Sequence, residues 1–256
     1  TLTVTDEVHV GYNGVKVTSK DLAEQYAGDV DVNVEATVVN DSDAAVDVTV
    51  RSTLLDASGA SAAVSQDTAL NIAAGREATA QLSMLVNKPH LWGIDDPYLY
   101  SVKTEVLVDG EVVDTYENDY GFRYYSFDNE TDFSFNGQMM KLKCVCMHHD
   151  QGALGAVANR DAIERQVKML KDMGCNAIRV THNPAASVLL DICNEYGMLV
   201  IDEAFDGWTE YKNSNYNDYT THFEDTITAD NQILDGETGM QWGEFDARTM
   251  IKRGIN

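Results

Sequence analysis

Basic residues are scarce in this chain: 18 Lys and Arg stand against 42 Asp and Glu, a formal net charge of −24. The deficit runs through both halves, so no basic face exists for nucleic acid or an anionic membrane to use, and neither is an expected partner. Such acidity suits a neutral or cationic ligand, a neutral sugar among them. Cysteines are few, and Cys144, Cys146, Cys175 and Cys193 all lie in the second half without a C-x-x-C pair. A disulfide in the first half is excluded, buried free thiols are the expected state, and a reducing, cytoplasmic setting is favoured over an oxidising one. No apolar run reaches the roughly 18 residues of a membrane span. Thr1 does not open the charged-then-apolar pattern of a secretory signal. Internal repeats and low-complexity tracts are also lacking.

What is present falls into two textures. Residues 1 to about 126 read as all-β. Asp31–Val39 and Ala45–Thr53 alternate apolar with polar around the turn-rich quartet Asn40-Asp-Ser-Asp43. Further strands are expected at about 3–10, 60–66, 77–86, 98–108 and 111–120, with Asp109-Gly110 making a tight hairpin turn. Short strands at this spacing predict a β-sandwich of immunoglobulin-like size, here without a disulfide.

After Gly121-Phe-Arg-Tyr, and a hairpin carrying Asn136-Gly137, helical periodicity appears. Asp161-x-x-Glu164 has capping-box spacing, Ile163, Val167 and Leu170 share a stripe, and Gly174 stops the helix. Leu189, Ile192, Cys193 and Tyr196 repeat the pattern behind Pro184, closed by Gly197. Between these helices stand three apolar runs that end in titratable residues: Cys144 to Asp150, Ala177 to Pro184, and Leu199 to Ala204. They read as successive parallel strands delivering functional groups to one place, as an α/β barrel builds its active site. A long polar loop over about 206–238 and a helix over about 243–253 follow. The stretch to Asn256 leaves room for about three of the eight strand-helix units of such a barrel. An open barrel has an unpaired apolar edge, which predicts association into a homo-oligomer or poor stability.

His148 and His149 sit at the first strand end, and Arg179 and His182 at the second. Imidazoles and a guanidinium in a cleft suit hydrogen bonding to the hydroxyls of an uncharged polar substrate. Two metal readings stay open: a soft-metal site from Cys144, Cys146 and His148, which share a strand face, or a set of His149, His182 and a carboxylate such as Asp150 or Glu203. Asp202 and Glu203 are adjacent on a strand and point to opposite faces, so they do not flank one bond as acid and base. Glu203 is expected instead to orient Arg179 or a histidine. Trp208 either stacks on the apolar face of a sugar or packs its own loop.

At these residues the sequence closely resembles glycoside hydrolase family 2, in particular its β-galactosidase members. The stretches that carry the resemblance are Leu91-Trp-Gly-Ile-Asp-Asp-Pro97-Tyr-Leu-Tyr100, Tyr120-Gly-Phe-Arg123, Phe135-Asn-Gly137, His148-His-Asp-Gln-Gly-Ala-Leu-Gly155, Asn176-Ala-Ile-Arg-Val-Thr-His-Asn-Pro184, Asp202-Glu-Ala-Phe-Asp206 with Trp208, and Arg253-Gly-Ile-Asn256. The resemblance implies an immunoglobulin-like β-sandwich over 1–126 and the N-terminal part of a catalytic (β/α)8 TIM barrel over 127–256. It implies a fragment of a retaining β-galactosidase that works through two glutamates about 5–5.5 Å apart. Both are expected beyond Asn256, so the fragment itself is expected to be inactive. His148, Arg179 and His182 would bind the galactoside, supported by His149, Asp150, Asp202, Glu203 and Trp208. Some members hold magnesium through a glutamate and a histidine after the third strand. Here that stretch reads Asp206-Gly-Trp-Thr209, and no metal or other cofactor is expected. Cys144 stands where glycine is usual. The alternatives are a β-glucuronidase or β-mannosidase of the same family, or a non-catalytic carbohydrate-binding or scaffold protein.

Overall fold

A computed structural model describes residues 3–130, 132–207, 219–231 and 238–254. The chain divides into two compact units, residues 1–140 and 141–254.

The first unit is a β-sandwich. One sheet has the order β1-β2-β6, from β1 (Val8–Ser19), β2 (Asp29–Asn40) and β6 (Arg76–Asn87), all antiparallel. The other runs β4-β3-β7-β8, with β3 (Val46–Leu55), β4 (Ser61–Val64), β7 (Tyr100–Val108) and β8 (Glu111–Tyr120), while β5 (Thr68–Ile72) also pairs with β3. Alternation drives the packing: Val30, Val32, Val34, Ala36 and Val38 of β2 are fully buried, as are Val50 and Leu54 of β3 and Val102 and Val106 of β7. A buried valine or leucine of this kind contributes roughly 1.5–3 kcal/mol relative to exposure. The Asp109-Gly110 turn forms with both residues at positive φ, 51° and 85°.

Three features depart from the sequence-based expectation. The first strand spans 8–19 rather than 3–10, because a bulge between Val10 and Val15 carries it past Gly11 and Gly14 with Asn13 at φ 47°. Strand β5 is additional, as is a one-turn helix α1 (Leu22–Gln25).

Trp92, Phe122 and Asn136 tie three separate motifs together. The Trp92 N–H donates to the Phe122 carbonyl at 2.8 Å, and the Asn136 side chain donates to the Trp92 carbonyl at 2.9 Å while accepting from the Tyr124 N–H at 3.1 Å. The Arg123 guanidinium lies 5.1 Å from the centre of the Trp92 ring. A Cβ on Gly121 would stand 2.8 Å from the Trp92 Cβ, so this position requires glycine. Three short strands, β9 (Tyr125–Asp128), β10 (Asp132–Phe135) and β11 (Gln138–Met139), complete the unit, with Asn136-Gly137 as the expected turn.

The second unit holds a parallel sheet of order β12-β13-β14, from β12 (Cys144–Met147), β13 (Ala177–Val180) and β14 (Leu199–Ile201). Helix α2 (Arg160–Asp172) connects the first pair and α3 (Ser187–Tyr196) the second. Ile178 and Val180 pack with Ile163 and Val167 of α2 and Leu189 and Ile192 of α3. Gly197 ends α3 in the left-handed conformation, as expected. The start of α2 differs: Asn159 is the cap, accepting from the Ala162 N–H at 3.0 Å, and Asp161 lies within the first turn. Asparagine two residues upstream reaches the free N–H first, so the Asp161/Glu164 box goes unused.

Asn176 anchors the starting ends of all three strands. Its side-chain oxygen accepts from the Lys143 N–H at 2.7 Å, its amide donates to the Lys141 carbonyl at 2.9 Å, and its own carbonyl accepts from the Leu199 N–H at 3.0 Å. A short α4 (Thr220–Phe223) and a terminal α5 (Trp242–Gly254) follow. No helix among the described residues is long and apolar enough to cross a membrane.

Candidate active site

The parallel register decides which side chains meet. Cys144 pairs with Ala177 and Leu199, then Cys146 with Arg179 and Ile201, and these two rows lie on the sheet face opposite the helices. Cys144, Cys146 and Ile201 are exposed. This corrects the expectation of four buried thiols. Only Cys193 is buried; Cys144 and Cys146 lie on the face that α2 and α3 do not cover, while Cys175 is half-buried. Desolvation pushes the Cys193 thiol up to about 12 and raises that of Cys144 as well.

Just past these rows stands the polar cluster. Glu203 Oε1 accepts from Arg179 Nε at 2.6 Å and from a second guanidinium nitrogen, and Oε2 accepts from His182 Nδ1 at 2.8 Å. The His182 and Arg179 hydrogen bonds hold the Glu203 carboxyl below the usual carboxylate range, against partial desolvation. An ionised carboxylate only accepts, so His182 donates from Nδ1, and Nε2 is the ring nitrogen that Glu203 leaves available. His148 meets His182 edge-to-face, with ring centres 5.6 Å apart. The Thr181–His182 peptide is cis, and the Thr181 N–H donates to the Met147 carbonyl at 3.0 Å.

Asp202 turns elsewhere. Its Oδ1 accepts from the Ala185 N–H at 2.8 Å and its Oδ2 from Arg253 at 3.1 Å, so Asp202 and Glu203 do not converge. Asp150 accepts from the Gly152 N–H at 2.8 Å and closes its own loop. His149 lines a cleft of about 130 Å³ together with His148, Gln151, Val157, Ile163 and Leu189. Of the residues singled out in the sequence, the structure thus brings together His148, Arg179, His182 and Glu203, with His149 beside them. It places Asp150 and Asp202 in supporting hydrogen bonds. Trp208 lies outside the described residues. Two participants were not assigned these roles from the sequence: Arg253, quoted there only within a family motif, which reaches Asp202 across 51 residues, and Cys146, weighed there only as a buried thiol or metal ligand, which neighbours Arg179.

Neither metal set assembles. Among the described residues no group of three or more His, Cys, Asp and Glu is placed to hold an ion. Glu203 is already shared between Arg179 and His182, and Asp150 is taken up by its loop.

A sandwich followed along the chain by parallel strands whose C-terminal ends carry a histidine, arginine and carboxylate cluster defines a class, the multidomain proteins in which a β-sandwich precedes an α/β barrel domain. Comparison with known proteins takes this further. The model described as glycosyl hydrolases family 2 matches residues 8–123, and that family's TIM barrel domain matches residues 128–236. The chain belongs to glycosyl hydrolase family 2, with an immunoglobulin-like sandwich preceding the start of the TIM barrel domain. It is 42% identical over 255 residues to Beta-galactosidase BoGH2A of Bacteroides ovatus, spanning 100% of this chain and 27% of that protein. It is 35% identical over 120 residues to a beta-glucuronidase of Bacteroides fragilis, covering 46% of this chain and 17% of the relative. A crystal structure of a glycosyl hydrolase family 2 member from Bacteroides cellulosilyticus superposes with a TM-score of 0.84 at 32% identity, over 98% of this chain and 30% of that one.

Proposed function

We propose that this chain is part of a retaining β-galactosidase and contributes the half of the active site that grips the sugar. The observation that carries the reading is the Arg179–Glu203–His182 relay with His148 against it. It fixes a guanidinium, an imidazole with Nε2 available and a second imidazole at neighbouring strand ends. These are groups for binding hydroxyls, and their mutual hydrogen bonds hold two of them in place before substrate arrives. His148, Arg179 and His182 take the galactoside; Glu203 orients two of them; Asp202, Asp150, His149 and Trp208 support. The acid/base and nucleophilic glutamates of double displacement lie beyond Asn256 in this reading, so the chain alone turns over no glycoside. The domain limits that go with it are 1–126 for the sandwich and 127–256 for the barrel portion.

A relative named beta-glucuronidase motivates the second reading. The geometry favours an uncharged sugar: the Arg179 cation is neutralised by Glu203, and the chain carries a net charge of −24, a poor setting for a glucuronide carboxylate. A β-mannosidase and a non-catalytic carbohydrate-binding protein are the remaining rivals. The test is a panel of aryl β-glycosides on the complete polypeptide. Faster cleavage of the galactoside than of the glucuronide and mannoside is expected, and the reverse order overturns the galactoside assignment. Turnover by the purified 256-residue chain in proportion to its concentration would overturn the placement of the catalytic glutamates.

A further inference from the structure

We propose that Cys146 is a positioning residue for Arg179, holding the edge of the guanidinium that Glu203 leaves free; the consequence for turnover rests on the glycosidase reading above. The register makes the argument. Across the sheet at the level of Arg179 the neighbours on the same face are Cys146 on one side and Ile201 on the other. Ile201 offers no acceptor. Glu203 receives Nε and one terminal nitrogen, and the other terminal nitrogen, NH1, donates to Cys146 Sγ at 3.6 Å.

A planar guanidinium held by one carboxylate still rocks about that edge, and a contact on its opposite side removes this freedom. Sulfur is a weak acceptor, so the contact orients the group more than it binds it. Cys146 is also exposed in this chain, so reagents reach it, and the same thiol is a point at which modification displaces Arg179. Cys144, one row back on the same face, pairs with Ala177; its thiol donates to the Val145 carbonyl at 3.6 Å, and Arg179 acts on it through its backbone and its charge. It is the comparison thiol.

Two measurements test this. In the complete polypeptide, Cys146→Ala is expected to lower kcat/KM for an aryl galactoside roughly tenfold, through KM, because binding of ground and transition states is weakened together. Cys146→Ser, whose hydroxyl accepts from the same N–H, is expected to restore activity to within about twofold, and Cys144→Ala to have no effect. Wild-type kinetics for Cys146→Ala, or a serine variant no better than the alanine one, overturns the proposal. The second measurement needs no turnover. On the 256-residue chain, a negatively charged alkyl methanethiosulfonate transfers its alkylthio group to the thiolate and releases methanesulfinate. Labelling of each thiol is followed by peptide mass spectrometry. Arg179→Gln is expected to slow anionic labelling at Cys146 several-fold relative to a neutral reagent, and to change that ratio less at Cys144, which the Arg179 charge reaches from one row away. An unchanged ratio at Cys146 overturns the contact. If the ratio falls while the complete polypeptide cleaves no glycoside, the glycosidase reading fails and the Cys146–Arg179 contact stands.

Discussion

Asp202 offers the sharpest test of how the site is held, because its two oxygens do separable work. Oδ1 accepts from the N–H of Ala185, a residue with 0% exposure, so in Asp202→Ala that N–H has no water to turn to. An orphaned buried donor costs about 1–3 kcal/mol. Oδ2 accepts from Arg253; both side chains are 21% exposed, which leaves this partly screened contact worth about 1 kcal/mol. Loss of both is expected to destabilise the second unit by about 2–4 kcal/mol. Asp202→Asn retains an acceptor for Ala185 but sets its amide against the Arg253 donors, and is expected to cost only about 1 kcal/mol. Urea unfolding supplies the totals, and hydrogen exchange at the Ala185 amide supplies the local readout. Protection should survive in the asparagine variant and collapse in the alanine variant. Equal losses in both, or an Ala185 amide equally protected in both, would refute the assignment of Oδ1 to that N–H.

Glu203 links stability to pH with a definite sign. Its carboxyl titrates below the ordinary range in the folded state, so its pairing stabilises above that range and is lost as pH falls through the depressed value. Acid titration of Glu203→Gln should show a shallower dependence than wild type, and nitrogen NMR should show His182 losing its preference for the Nδ1 proton. Gly121→Ala forces a Cβ to within 2.8 Å of the Trp92 Cβ, which cannot swing aside. A loss of about 1–3 kcal/mol is expected in chemical unfolding. Gly28→Ala, whose nearest atom is 3.8 Å away, should stay within about 0.5 kcal/mol. A neutral maleimide should modify Cys144 and Cys146 in the native chain and reach Cys193 only after unfolding, as mass spectrometry of digests will show.

Local chemistry was legible wherever one residue decides the backbone. Asp109-Gly110 and Asn136-Gly137 announce two-residue hairpins because both positions need positive φ, and Gly197 marks the end of α3 for the same reason. The valines of β2 declare a one-sided strand by alternation alone. Asp202 and Glu203 do diverge as expected, but both lie past the end of β14 at Ile201, so their different partners rather than strand alternation separate them. Competition between signals hid the rest. Gly11 and Gly14 read as breakers, yet the bulge absorbs them; Asn159 outcompetes a capping box two residues downstream. Thiol burial was misjudged because an apolar strand does not reveal which of its faces a helix will cover. The pairing of Arg253 with Asp202 spans 51 residues, and no local pattern encodes a partner at that range.

Asn176 sits at the far end of the sheet from Arg179 and Glu203 and touches neither. It fixes where each of the three strands begins, and a one-residue slip of β13 would turn Arg179 from the Glu203 side to the helix side. The alignment of Arg179 with Glu203 is thus set remotely, as the teeth of a zip are set by its stop. A lesion at Asn176 would present as a defect of that cluster, although the residue lies at the opposite end of the sheet from it.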